Sequence, residues 1–223
     1  MRQIMVCAVL GAAASSAMGG LIVDPAFGGD ADFLALTNNG TLEEAVAEGR
    51  IGNAMGNGTW ETAIWEQGGV DIPQAQGQLT VNNGLGYDFV VSYDGVSELT
   101  YTVDQTTISW DSLGGPFTDI FFRTRSVADA TVSLTSLSIF HDGGPTALAD
   151  IVNSGGGVGY VRLTNMGSDF GAFTITGIQT LSWTGDAPSN SALAYQIKLT
   201  NVVPAPGAAA GLGVLALGLR RRR

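Results

Sequence analysis

From Gly58 onward, the hydrophobic pattern along the chain takes a period of two. Tyr87, Phe89, Val91 and Tyr93 fall on one side of an extended chain, and Asp88, Val90, Ser92 and Asp94 on the other. Successive strand side chains point to opposite faces, so this segment reads as a half-buried strand. Asp94-Gly95 supplies a turn, and Leu99, Tyr101 and Val103 resume the alternation as a hairpin partner. Further strands are predicted at 21–23, 79–81, 106–110, 117–124, 160–164, 172–176, 178–183 and 193–200. Ile120-Phe121-Phe122 marks one buried on both faces. Val132 and Leu134 share one phase, whereas Leu137 and Ile139 share the other. One extra residue swaps the faces of a strand, so a β-bulge is expected between Leu134 and Leu137.

Other stretches break the period. Residues 147–159, with Gly155-Gly156-Gly157, read as a loop, and Gly177 reads as a turn. Gly28-Gly29-Asp30-Ala31-Asp32 reads as an acidic glycine loop. Thr41-Leu42-Glu43-Glu44 has the spacing of a capping box, and Leu42, Ala45 and Val46 then share a helical face. A short helix is therefore expected over 42–48, with Gly49 as its stop. About ten short strands spaced near ten residues predict an all-β, jelly-roll-like β-sandwich with one short helix.

The two ends follow neither pattern. Arg2 precedes an apolar stretch over 4–14, and small residues follow, with Ala17 and Gly19 at the −3 and −1 positions of a cleavage site. That layout is a secretory signal peptide, placed at 1–19. At the other end Pro204-Ala205-Pro206-Gly207 breaks the preceding strand, an apolar helix is expected over 207–219, and Arg220, Arg221, Arg222 and Arg223 close the chain. Arginines resist translocation, so the arrangement reads as a membrane stop. Its apolar part extends only about 20 Å at 1.5 Å per residue, against a hydrocarbon core of about 30 Å. A short, glycine-rich helix suits a temporary tether. The expected organisation is a leader at 1–19, a sandwich domain at 20–201 and a tail at 202–223.

Charge sharpens once the ends are set aside. All twenty acidic residues lie between Asp24 and Asp186, while only Arg50, Arg123, Arg125, Arg162 and Lys198 are basic between residues 20 and 202. The net over that span is 5 − 20 = −15. Such a surface repels nucleic acid and anionic polymers and attracts divalent cations. Cys7, the one cysteine, sits in the leader, so an exported domain would carry no disulfide.

Val203-Pro204-Ala205-Pro206-Gly207, the apolar helix and the arginine cluster together resemble a PEP-CTERM sorting signal, the bacterial C-terminal address read by an exosortase-type membrane protease. The family pattern has glutamate between the prolines, where this chain has Ala205. The resemblance implies processing near residues 203–207, with the secretion machinery and that protease as partners. It also implies a transient inner-membrane tether, then a place at the cell surface or outside the cell. Trp60-Glu61 to Trp65-Glu66, Tyr93-Asp94-Gly95 and Thr106 to Trp110 are similar to choice-of-anchor domains, extracellular sandwich modules that occur beside differing attachment signals.

Several residues suggest chemistry. Asp24, Asp30 and Asp32 could offer carboxylate oxygens to calcium from a flexible loop; the alternative is a solvated acidic loop. Trp60 and Trp65 are candidates for stacking on sugar rings, whereas Trp110 and Trp183 follow alternating residues and read as core. Glu61 and Glu66 are a carboxylate pair of the kind glycoside hydrolysis needs, in a chain where twenty acids make pairs common. His141, the single histidine, lies beside Asp142-Gly143-Gly144 and reads as a turn residue, which leaves zinc sites and Ser–His or Cys–His catalysis without partners. The expectation is an exported, non-enzymatic surface or extracellular-matrix protein that adheres or binds extracellular polysaccharide. A glycan-active hydrolase or lyase, or a calcium-stabilised structural domain, is the alternative.

Overall fold

The computed structural model describes residues 20–38, 41–51, 60–66, 73–165, 169–188 and 191–202. Residues 1–19, expected as a leader, and all but Val202 of residues 202–223, expected as a tail, lie outside the described residues. In chain order the elements are β1 (Leu21–Asp24), α1 (Asp30–Asn38), β2 (Thr41–Ile51), β3 (Thr62–Glu66), β4 (Ala75–Gly77), β5 (Gly86–Tyr93), β6 (Leu99–Val103) and β7 (Thr106–Trp110). They continue with β8 (Asp119–Ser126), β9 (Ala130–His141), β10 (Gly144–Ala147), β11 (Ile151–Ser154), β12 (Gly157–Asn165), β13 (Phe173–Trp183) and β14 (Leu193–Val202).

These strands form two seven-stranded sheets. The first runs β1-β12-β8-β14-β2-β3-β4, and the second β10-β9-β13-β5-β6-β7 with β11 also on β9. Every pair described is antiparallel. The inward faces meet in one core, with Phe89, Val91, Tyr101, Leu134, Ile139 and Ile175 from the second sheet against Ile64, Ile120, Phe122, Tyr195, Ile197 and Leu199 from the first. An all-β sandwich is thus the architecture.

The alternating segments form the strands their period predicts, and β8 is buried on both faces over its first four residues. The bulge is where the phase change puts it: Thr176 faces Ser138 and Ile178 faces Thr135, so Ser136 and Leu137 together oppose Gly177. Ser136 takes a positive φ of 52°, and its N–H donates to Asp150 Oδ1 at 3.0 Å.

Five segments differ from the sequence reading. Residues 42–48 are not helical but belong to β2, hydrogen-bonded between β14 and β3. Two ladders and burial of Ala45 and Ala47 outweigh a local capping signal. The helix lies instead at Asp30–Asn38, where the acidic loop was expected. Strand structure is found at Ala75–Gly77 rather than 79–81, and part of the expected 147–159 loop pairs with β9 as β11. Gly177 is not a turn but the middle of β13. A Cβ there would stand 2.8 Å from both Leu137 Cδ2 and Phe89 Cε1, so the strand crosses the bulge only without a side chain.

Candidate binding groove

On the first sheet, Ile120 and Phe122 of β8, Tyr195, Ile197 and Leu199 of β14, and Ala45 and Ala47 of β2 point into the core. Their neighbours point out: Phe121, Arg123 and Arg125; Gln196 and Lys198; Val46, Glu48 and Arg50. Antiparallel register aligns Tyr160, Arg123, Gln196 and Glu48 in one row across four strands. Arg162, Phe121, Lys198, Val46 and Trp65 form the next row. All five basic residues of 20–202 therefore stand on the outer face of this one sheet.

Helix α1 lies over that face. The amides of Asp32 and Phe33 donate to Gly29 O, and Asp30 and Asp32 occupy the first turn, where the helix dipole favours negative charge. Asp32 folds back over Gly28, and a Cβ at residue 28 would sit 1.6 Å from Asp32 Oδ2. Phe33 is buried against Phe121, ring centroids 5.1 Å apart and edge-on, and stacks on Tyr160 at 5.6 Å and 19°. Phe27 closes the cluster against both rings. Residues 120–122 are buried on both faces for this reason: Phe121 points away from the sandwich core into a second one under α1.

A polar network runs from the helix across the sheet. Arg123 grips Asp30 with two parallel bonds, Nε to Oδ1 at 2.7 Å and Nη2 to Oδ2 at 2.9 Å, and Tyr160 Oη donates to Asp30 Oδ1 at 2.8 Å. Arg123 Nη1 reaches Gln196 Oε1 at 3.5 Å. Gln196 Nε2 then donates to Glu48 Oε2 at 3.3 Å, and Trp65 Nε1 donates to the same oxygen at 2.8 Å. The Arg123 bond, with help from Tyr160, holds Asp30 down to about 2, and the Asp30 bond raises Arg123. Burial pushes Glu48 up against the opposing pull of Arg50, Gln196 and Trp65.

Between α1 and the sheet is a groove of about 470 Å³, with Asp30, Phe33, Arg123, Tyr160, Gln196 and Lys198 around it. Leu34, 58% exposed, and Thr37 form its helix-side lip. The Lys198 ammonium stands 4.8 Å from the Phe33 ring centroid. The groove offers apolar rings beside fixed donors and acceptors of several kinds.

The residues singled out from the sequence are distributed differently. Trp60 is buried rather than a surface platform: the Arg50 guanidinium carbon lies 3.0 Å from its ring centroid, and Arg50 Nε donates to its carbonyl at 3.2 Å. Trp65 meets Trp60 edge-on at 5.3 Å and is half-buried, with its indole N–H committed to Glu48. Trp110 and Trp183 are partly buried against the main core. Asp30 joins the groove through Arg123, while Asp24 Oδ1 accepts the Ala26 amide at 3.0 Å. Asp24, Asp30 and Asp32 do not converge, and no group of three or more His, Cys, Asp or Glu able to hold a metal ion occurs among the described residues. Glu66 ends β3 and Glu61 immediately precedes it, so the two lie roughly 16 Å apart along an extended chain. His141 ends β9 with its ring buried 5.6 Å from Phe170, rather than lying in a turn.

Ala17, Gly19, Val203, Pro204, Ala205, Pro206, Gly207 and the four arginines lie outside the described residues. No helix among the described residues is long and apolar enough to cross a membrane. Sequence reasoning missed Arg123, Tyr160, Gln196 and Lys198; the available signal was the scarcity of cations and their outward phase on four strands. No family model matches the chain, and no curated protein does.

Proposed function

We propose that the chain is an exported, non-enzymatic protein of the cell surface or extracellular matrix, sorted by its PEP-CTERM-like tail, whose jelly-roll-like sandwich binds glycan beside α1. One observation carries the binding half: the groove joins Phe33 and Tyr160 to fixed amide, guanidinium, ammonium and carboxylate groups within about 470 Å³. A sugar presents apolar ring faces and hydroxyls that both donate and accept, which is the complement of that wall. The volume falls within the roughly 300–1,000 Å³ of small-ligand sites. The targeting half rests on the layout of residues 1–19 and 203–223, with an exosortase-type protease acting near 203–207.

Mass spectrometry of the exported protein tests the targeting. A C-terminus within 203–207 is expected, and an intact four-arginine end would sink it. For binding, Gln196→Ala should lower the oligosaccharide-array signal of the secreted protein; binding equal to wild type rules out the groove.

A glycan-active hydrolase is the second reading, favoured by the opposite displacement of two carboxylates, Glu48 upward and Asp30 downward. Such a split suits an acid and base pair. Glu48 is enclosed by Trp65 and Gln196 and lies outside the groove lining, so binding ranks first. Release of reducing ends, abolished by Glu48→Gln, would reverse the order.

A further inference from the structure

The outer face of the second sheet carries hydroxyls where that of the first carries charge. Register aligns Phe140, Thr174, Ser92, Thr100 and Ser109 in a row across five strands. Ser138, Thr176, Val90, Thr102 and Thr107 form the row beside it. Four of five positions in each row are Ser or Thr. Hydroxyls already meet across strands, Ser92 with Thr174 at 3.1 Å and Thr102 with Thr107 at 3.0 Å. Asp88 is the one charged residue on this face among the described residues. The neighbouring acids, Asp94, Glu98, Asp104, Asp129 and Asp142, sit in the turns around it.

This contrast restricts the partner. Residues 20–202 carry a net −15, so a second copy laid against this face would bring two strongly acidic domains together, and an anionic polymer would meet the acidic turns. An uncharged polyhydroxyl chain meets neither penalty. Neighbouring strands are about 4.8 Å apart, close to the length of one pyranose unit, so a five-strand row spans about 19 Å. Each threonine offers a methyl beside its hydroxyl, matching the mixed apolar and polar edge of a sugar. Phe140, 51% exposed at the row's end, supplies a ring for stacking.

We propose that this face is a second, extended docking surface for an uncharged polysaccharide laid across the strands, with Phe140 stacked on a sugar ring and Thr174, Ser92, Thr100 and Ser109 bonding to successive hydroxyls. The proposal rests on the glycan-binding reading but names a different surface and a ligand class.

The test is retention of the full secreted protein on amorphous cellulose and insoluble mannan, with alginate as the anionic comparison. Wild type should be retained on one of the neutral polymers, and retention should persist in high salt. Phe140→Ala and the double variant T100V/T174V, which keeps β-branched shape while removing two hydroxyls, should each weaken retention up to about tenfold at unchanged melting temperature. Full retention by both variants with loss in Gln196→Ala overturns the face and leaves the groove standing. Retention on alginate alone, or lost with salt, also overturns it. Failure of the wild type to bind any glycan overturns both readings.

Discussion

Tyr101 of β6 and Tyr195 of β14 face each other from opposite sheets, both fully buried, with their hydroxyls hydrogen-bonded to one another. Burial pushes both phenols well above their ordinary range. Gly49 of β2 makes room for them, since a Cβ there would stand 2.5 Å from Tyr195 Cε1 and 2.8 Å from Tyr101 Oη. Replacing either tyrosine by phenylalanine leaves the other hydroxyl in the core without its partner, at a cost of about 1–3 kcal/mol. Replacing both removes two polar groups while keeping the shape, which is close to neutral. Y101F/Y195F should therefore be more stable than either single variant, with a coupling that equals the sum of the two single costs, about 2–6 kcal/mol. Urea unfolding at neutral pH measures it, provided the m-value is unchanged. Because the folded pKa values are raised, the phenols' contribution is intact below about pH 10 and falls above it, as the unfolded tyrosines ionise first. The double variant should lose less stability on that alkaline limb. A double variant that costs the sum of the two singles would refute the reasoning, because the hydroxyls would then be acting independently.

Gly177→Ala should cost about 1–3 kcal/mol by overpacking Leu137 and Phe89, and less in a Leu137→Ala background, as denaturant unfolding of the four variants would show. Asp30 is held down to about 2, so its pairing with Arg123 stabilises above about pH 4 and is lost as pH falls toward 2. Its side chain is 55% exposed, which cuts the full linkage to roughly 1 kcal/mol; Asp30→Asn should be weaker than wild type by that amount at pH 7 and level with it near pH 2. Calcium chloride should leave the melting temperature unchanged, since Asp30 is engaged by Arg123 and mass action needs native-state affinity; a calcium-dependent rise would restore the Asp24, Asp30 and Asp32 site.

The sandwich was legible wherever one face of a strand is core and the other is open, as in β5, β6 and β7, because alternation reports burial directly. Even the bulge showed, since a phase slip cannot be hidden in Leu134 and Leu137. Thr41 and Glu44 misled because a capping box is read over four residues, whereas β2 is fixed by β14, roughly 150 positions away in the chain, as the Glu48–Gln196 contact at a separation of 148 shows. Gly177 misled for a related reason: what excludes its side chain is Phe89, far away in sequence. The groove was not legible because β8, β12 and β14 contribute only one or two residues each opposite α1, and nothing local ties Asp30 to Arg123.

The position of β14 has a mechanical consequence. It ends at Val202 and is paired with β2 from Leu193 to Val202 on one side and with β8 from Ala194 to Thr200 on the other. Force applied at Val202 along the strand direction is resisted by two ladders in shear at once, where an edge strand such as β4 could be peeled away one bond at a time. Whatever holds the chain beyond residue 202 thus pulls on the middle of the sheet, and the fold should withstand tension from that end better than from β1, which has a single neighbour.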